Sequence, residues 1–396
     1  MGELIREEYL EKLDSFRNRP DLVKIITGVR RSGKSTIMSQ FYKKLKSDNQ
    51  DALYVDMEKL SFVVTSDREM YNYIMESVSS ENVYVLIDEV QFVKGWEKVV
   101  NNIRANGANV YVTGSNATVL SSDFTTIIGG RYVEIHVLPL SFREFLNRYP
   151  PKGTERTEQR FNQYLNMGGL PIIDLESDDS MKCRAILDGV YDSIVGRDIT
   201  VRSGMDNRTV RRLTSYLYSN IGNTTTGESM MIGSGISDRR TLEKYLDAVE
   251  DSYMFYRVDT YDLIGKKMMK IKAKYFSADI GLRNIALNHR MDDSSGLLEN
   301  IVFLELKRRG YDVTVGAYRD YEVDFTARIN GNVEFFQVAS TLNDISTVKR
   351  EERPLRLLKE IGKKTILTLD RDLPNNTDGI EYANLIDWLE CNNQTV

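Results

Sequence analysis

The sequence predicts an α/β protein of several units: a helix-covered parallel sheet first, a helical region in the middle, and a second α/β unit at the end. Three observations predict it. Apolar runs alternate with amphipathic stretches up to residue 140, a polar Pro/Gly-containing break follows at 150–159, and another series of short strands and helices fills the last third. A chain of 396 residues also exceeds one compact core, and ordinary domain sizes divide it into two or three units.

The first strands are read from LVKIIT at 22–27, ALYVD at 52–56, VYVLID at 83–88, NVYVT at 109–113 and RYVEIHVL at 131–138. Near-continuous apolar runs separated by helical patterns belong to a parallel sheet covered on both faces. Ser141 to Arg148 reads as a helix, and PPKGTERTEQ then marks the first boundary. Residues 160–202 are helical in pattern, and 207–262 hold two further helices and a short strand. The second of those helices opens at Ser237, an expected N-cap, and places Leu242, Tyr245, Leu246 and Val249 on one face. After a Lys-rich segment come a helix (Leu297 to Arg308), three strands (Tyr311 to Val315, Glu322 to Ile329, Val333 to Val338), a helix (Val348 to Leu358) and a strand (Thr365 to Leu369). The expected domains are 1–150, 151–204 as a helical linker or lid, 205–274 and 275–396.

Composition narrows the chemistry. Hydrophobic residues make up 41% and charged residues 28%, as in an ordinary globular protein. A net charge of −5 gives no global attraction to nucleic acid or acidic membranes, so any such binding must come from a local patch. The N-terminal MGELIREEYLEKL has no apolar core of a signal peptide, and no stretch suits a membrane span, so a cytoplasmic location is expected. Cys183 and Cys391 are expected as free thiols. With His136 and His289 as the only histidines, a His-rich metal site is excluded. Carboxylates, Lys, Arg and Mg2+ are left to do the work.

Gly28-Val29-Arg30-Arg31-Ser32-Gly33-Lys34-Ser35 matches G-x-x-x-x-G-K-[ST], directly after an apolar strand and before a helix. Its glycines let successive N–H groups converge on phosphate oxygens, helped by the dipole of the following helix, which also carries Thr36. Lys34 would reach the β- and γ-phosphates of ATP, and the Ser35 hydroxyl would ligate Mg2+. The four fixed positions coincide by chance in such a chain on the order of one time in a hundred. A second strand ends in Asp88-Glu89, where Asp88 would orient the Mg2+ shell and Glu89 would polarise the attacking water. Ser115 and Asn116, after the next strand, would touch the γ-phosphate or the lytic water, or else form an ordinary strand-ending turn. Arg131 would supply transition-state charge, from this chain or a neighbouring copy in a homo-oligomer, or else is a surface residue beginning a strand.

With ITGVRRSGKST, VLIDEVQFVKGWEKVV, VTGSNATVLSSD and GRYVEIHVLPLSFREF in hand, the chain resembles the AAA+-related ATPases of archaea and anaerobic bacteria. YLNMGGLP at 164–171 and YFSADIGLRN at 275–284 are similar to the region commonly fused to that ATPase. The resemblance implies a P-loop NTPase core of the ASCE/AAA+-like kind with strand order 5-1-4-3-2, Asp88 and Glu89 as Walker B, and Ser115 or Asn116 as sensor. It also implies a basic residue near Arg131 and an Arg-Asp pair like Arg197-Asp198.

By the same analogy the middle resembles a winged helix, with Ser237 to Asp251 as recognition helix. Arg239, Arg240 and Lys244, with Lys266, Lys267, Lys270, Lys272 and Lys274, would then contact the phosphates of double-stranded DNA, or else form a solvated basic edge. The last third resembles a PD-(D/E)XK nuclease, a restriction-endonuclease-like fold, in which Glu299 and Asp324 would hold metal. Its last motif departs from the pattern, reading Gln337-Val338-Ala339 without the lysine, and strand alternation turns Glu334 to the other face, so a degenerate nuclease domain is expected. The expected function is MgATP hydrolysis by a DNA-associated motor or switch. The alternatives are a nucleotide-gated protein-interaction switch with slow turnover and an ATP-regulated nuclease.

Overall fold

The computed structural model describes residues 4–78, 83–201, 203–288, 294–376 and 378–391. The chain divides into two compact units, one running to Pro139 with Asp251–Tyr253, the other holding Leu140–Glu250 and the chain from Met254 onward.

In the first unit the elements run α1 (Glu7–Ser15), β1 (Val23–Thr27), α2 (Lys34–Ser47), β2 (Ala52–Asp56), α3 (Met57–Leu60), α4 (Asp67–Ser77), β3 (Tyr84–Asp88), α5 (Trp96–Ala105), β4 (Asn109–Thr113), α6 (Ser122–Ile128) and β5 (Tyr132–His136). The sheet is parallel, in the order β2-β3-β4-β1-β5. β1, β3 and β4 are buried at every residue, which explains their unbroken apolar runs. Alternate residues feed two cores. Ile25, Val85, Ile87 and Val112 pack with Met70, Ile74, Trp96 and Val100 of α4 and α5, while Ile26, Leu86 and Tyr111 pack with Leu13, Ile37 and Phe41 of α1 and α2.

The second unit begins with α7 (Phe142–Arg148), α8 (Thr157–Met167) and α9 (Ser180–Ser193), which continues into a π-helical stretch over Ile194–Val201. Next come α10 (Asn207–Ser219), α11 (Gly227–Ser234), α12 (Arg239–Asp251), β6 (Phe255–Asp262), β7 (Lys267–Ser277) and α13 (Ile280–Ala286). The chain then runs α14 (Ser294–Arg308), β8 (Asp312–Tyr318), β9 (Tyr321–Ile329), β10 (Asn332–Ala339), α15 (Ile345–Leu357), β11 (Lys363–Thr368), β12 (Ile380–Asn384) and α16 (Leu385–Glu390). Seven strands form one sheet in the order β12-β11-β10-β9-β8-β6-β7.

Several expectations need correction. The helix at 142–148 belongs with the second unit, so the break falls at Pro139 and not at residue 150. The expected division at 274/275 lies inside β7, because the Lys-rich segment is a strand paired with β6, which in turn pairs with β8. Residues 207–251 hold three helices, since the short α11 has no apolar periodicity of its own to announce it. Asp238, not Ser237, caps α12, accepting the Thr241 N–H at 2.8 Å and its hydroxyl at 2.8 Å.

The segments at 164–171 and 275–284 lock onto each other. Buried Asp279 accepts the N–H groups of Gly169 (2.7 Å), Gly281 (2.9 Å) and Leu282 (3.3 Å), and burial pushes its carboxyl up to about 6. A Cβ on Gly168 would stand 2.1 Å from Asp279 Oδ1, so glycine is required there. Asn284 donates to the carbonyls of Leu165 and Asn166, both at 2.9 Å.

Candidate nucleotide site

The site lies at the C-terminal edge of the first sheet, where β1 ends and the loop to α2 begins. Two backbone features shape the loop. Gly28 has φ +137° and a Cβ there would meet the Val137 carbonyl at 2.2 Å, while Gly33 caps α2 in the left-handed region at φ 98°. The N-terminus of a 14-residue helix therefore opens directly onto the loop. Arg31 also holds a positive φ of 67° and is exposed, Arg30 is half-buried, and Thr36 is exposed on the first turn of α2. Ser32 is fully buried, and its Oγ has no hydrogen-bond partner among the described residues.

Lys34 is buried and donates to the loop's own carbonyls, Gly28 O at 2.9 Å and Val29 O at 3.0 Å. The Ser35 hydroxyl donates to Asp88 Oδ1 at 3.1 Å, joining the loop to the end of β3. Asp88 is held further by the Tyr54 hydroxyl on Oδ2 at 2.8 Å and by the Thr113 hydroxyl on Oδ1. Burial beside Asp88 raises the Tyr54 phenol, so it stays a donor. Thr113 Oγ1 also accepts the Glu89 N–H at 2.8 Å.

Glu89 leaves β3 in the left-handed region at φ 52°. Its Oε2 accepts from the Gln91 amide and, at 3.3 Å, from the Ser115 hydroxyl, and Gln91 also reaches Ser115 Oγ at 3.4 Å. Ser115 thus bonds to the carboxylate of Glu89, and Asn116 beside it is buried. Arg131 is not brought to this chain's phosphate loop. It precedes β5 at the opposite edge of the sheet, where its carbonyl accepts from Val23 N at the start of β1 and its charge faces Arg104.

Gln91, Tyr54 and Arg6 join the site without being singled out by the sequence. Arg6 donates to Ser32 O (3.1 Å) and Leu138 O (2.9 Å), clamping the segment before α1 onto the loop. Thr113, a polar residue ending an apolar strand, does carry a signal in the sequence.

The residues fit a magnesium nucleotide. A buried orphan hydroxyl, a glycine cradle that a Cβ would fill, and an ammonium resting on neutral carbonyls all suit phosphate oxygens. The Ser35 hydroxyl and Asp88 carboxylate are the hard oxygen donors Mg2+ takes alongside substrate phosphates. Among the described residues no cluster of three or more His, Cys, Asp or Glu forms an all-protein metal site.

Elsewhere the expected residues fare unevenly. Arg239, Arg240 and Lys244 are exposed on α12, with Arg239 paired to Glu243 at 3.2 Å. Lys266, Lys267 and Lys272 are exposed, and the Lys270 side chain lies outside the described residues, as does His289. Lys274 is no surface contact: it is 2% exposed, and its Nζ pairs with Glu299 at 3.0 Å and Glu322 at 2.7 Å. Glu299 and Asp324 do come together, since burial and Glu299 push the Asp324 carboxyl well above its ordinary range. Gln337 Oε1 accepts from Asp324 N at 3.4 Å, and Asp324 Oδ2 accepts from Val338 N at 2.8 Å. Lys274 of β7 thus sets its ammonium beside Glu299 and Glu322. Glu334 accepts from Tyr311 at 2.7 Å, apart from this group. In the π-helical stretch Arg197 is exposed and Asp198 buried.

Two family models match the chain. An AAA domain matches residues 20–146, and a domain of unknown function, DUF8612, matches 158–293. An uncharacterized protein of Haemophilus influenzae is 36% identical, covering 97% of this chain and 98% of that protein. The uncharacterized protein MJ1544 of Methanocaldococcus jannaschii is 28% identical, over 86% of this chain and 80% of that one. AMPPCP-bound DnaA from Aquifex aeolicus is 14% identical with a TM-score of 0.32, covering 63% of this chain and 89% of that one, too slight an overlap to bear on function. Residues 20–146 thus match an AAA domain, and the chain as a whole belongs to the same family as the uncharacterized Haemophilus influenzae protein.

Proposed function

We propose that the protein hydrolyses MgATP and works as a DNA-associated motor or switch. The observation that carries the hydrolytic part is the Ser35–Asp88 hydrogen bond at 3.1 Å with Glu89 next in the chain. Mg2+, when bound with ATP, draws negative charge from the β- and γ-phosphates. The chain's own groups do the rest. Lys34 exchanges two carbonyls for phosphate oxygens, the Ser32 hydroxyl and the loop N–H groups cradle them, and Asp88 is held in place by three hydroxyl donors. Glu89 takes the proton of the attacking water once it lets go of Gln91 and Ser115. The exposed cations of the second unit support the DNA-associated part.

A second reading, an ATP-regulated nuclease, is favoured by one observation: Lys274 brings an ammonium to Glu299, which faces Asp324. ATP turnover measured with and without DNA, at several protein concentrations, tests the first reading. DNA stimulation supports a DNA-associated machine, and a rise in specific activity with concentration reveals assembly. Absence of turnover in the wild type would remove hydrolysis. Turnover blind to DNA, with no salt-sensitive DNA binding, would leave the protein-interaction switch. Metal-dependent DNA cleavage lost in Asp324→Ala would establish the second reading.

A further inference from the structure

We propose that the groove between α10 and α11 is a binding site for the phosphodiester backbone of a nucleic acid strand, a proposal that rests on the DNA-associated reading above. The groove encloses about 460 Å³ and is lined by Arg208, Arg211, Arg212, Ser215 and Tyr216 of α10 and by Gly233 of α11.

Its charge is one-sided. α10 carries three arginines and no acid, whereas α12, the expected recognition helix, sets Arg239, Arg240 and Lys244 among Glu243, Asp247, Glu250 and Asp251. On balance α12 is acidic, and a phosphate backbone is not drawn to it.

The arginines of α10 also differ in what they hold. Arg211 is occupied, bonded to Asp192 at 2.8 Å and Asn207 at 2.9 Å with its guanidinium over the Tyr191 ring. Arg208 and Arg212, both exposed, make no hydrogen bond or ion pair among the described residues. Asp206, the acid next to Arg208 along the chain, is engaged as the N-cap of α10, accepting Thr209 N at 2.8 Å and its hydroxyl at 2.7 Å. Residues four apart share a helix face, so the two free forks project together, and a guanidinium fork matches phosphate oxygens bidentately. Ser215 and Ser219 extend the same line of donors.

The floor of the groove is fixed. A Cβ on Gly233 would stand 2.0 Å from the Tyr216 ring, so only glycine lets α11 lie against that ring. From Arg208 to Ser219 the helix rises roughly 16 Å, far more than one free phosphate spans and enough for several along a strand. An open groove with charged donors in a row selects the backbone over a nucleotide.

The test uses the full chain, fluorescently labelled single- and double-stranded DNA of one sequence, and a salt titration. In Arg208→Ala/Arg212→Ala, affinity at low salt is expected to fall about tenfold or more and the log–log salt slope to drop by about two. Arg239→Ala/Arg240→Ala should change the slope less, and DNA-free ATP turnover should be unaltered in both. Arg208→Lys/Arg212→Lys should keep the slope and lose part of the affinity, because charge remains while the forks go. Wild-type binding with affinity and slope unchanged in Arg208→Ala/Arg212→Ala overturns the groove while leaving the DNA-associated reading standing. Absence of any DNA binding by the wild type overturns both. Polyglutamate that displaces the strand as well as unlabelled DNA does, through the same two arginines, overturns the nucleic acid assignment in favour of an acidic protein segment.

Discussion

Each unit buries a lysine ammonium at a polar site, and the two are held by opposite kinds of partner. Lys34 rests on two neutral carbonyls of its own loop, at 2.9 and 3.0 Å. Lys274 is neutralised by two carboxylates, at 3.0 and 2.7 Å, with a third, Asp324, raised by burial close by. A carbonyl is easily exchanged for a phosphate oxygen, and its loss costs little. A buried ion pair cannot be opened without leaving a bare charge behind. Lys34 is therefore poised for a ligand, while Lys274 is satisfied by the fold itself.

Activity separates the two sites most sharply. Glu89→Gln keeps the shape of the side chain and removes its basicity, so steady-state ATP turnover should fall by roughly 10²–10⁴-fold with nucleotide binding retained. Lys34→Ala should lose binding itself, read by nucleotide titration. Lys274→Met should leave ATP turnover within about twofold, and a large loss from a correctly folded variant would break the comparison.

Stability should reverse the ranking. Lys274→Met strands Glu299 beside Asp324, with an expected loss of about 3–5 kcal/mol in denaturant unfolding. Lys34→Ala removes hydrogen bonds to carbonyls and should cost about 1 kcal/mol. Equal losses would mean that Lys274 is as replaceable as Lys34, and the cluster in the second unit would then be open to a ligand.

The difference in partners also decides which site was legible. The predicted phosphate and metal groups of the first site lie in a contiguous motif or at a strand end, so Gly28 to Ser35 and Asp88-Glu89 announce themselves. The second cluster draws on residues 274, 299, 322, 324 and 337, joined only because β6 pairs with β8 and carries β7 with it. Nothing in the Lys-rich segment 266–274 says that one lysine turns inward while Lys272 faces solvent. Arg131 stands apart from its own chain's loop for a related reason. It follows two glycines near the motifs, but in a parallel sheet the start of β5 lies beside the start of β1, a full strand length from the loop. Gln91 could not be found from sequence, because the left-handed turn at Glu89 is what swings its amide back onto the carboxylate.

Gln91 gives a finer division within the first site. Its amide ties Glu89 to Ser115, holding the base away from water. Hydrogen bonds to charged groups contribute about 1.5–3 kcal/mol, of which Ser115 retains part, so Gln91→Ala should raise DNA-free ATP turnover by roughly three- to tenfold. A fall in turnover would mean that Gln91 positions Glu89 for catalysis instead of restraining it.

The smallest effect expected concerns a carboxylate in the second unit that, unlike Glu299, is paired with no buried lysine among the described residues. Burial raises Glu250 to about 7 from an ordinary 4.5, against the opposing pull of Arg257 and with Asp247 and Asp259 pushing the same way as burial. Tyr275 donates to it at 3.5 Å. Between pH about 4.5 and 7 the folded protein keeps a proton that the unfolded chain has released, so stability falls as pH rises through that window and stays low above it. Glu250→Gln removes this term. At pH 8 the variant should be more stable than wild type by on the order of 1 kcal/mol, with the gap closing toward pH 5, in paired urea melts. Asp279, raised to about 6, titrates in both proteins and cancels from the difference. A gap that does not change with pH would show that Glu250 stays ionised and that Arg257 serves it as Lys274 serves Glu299.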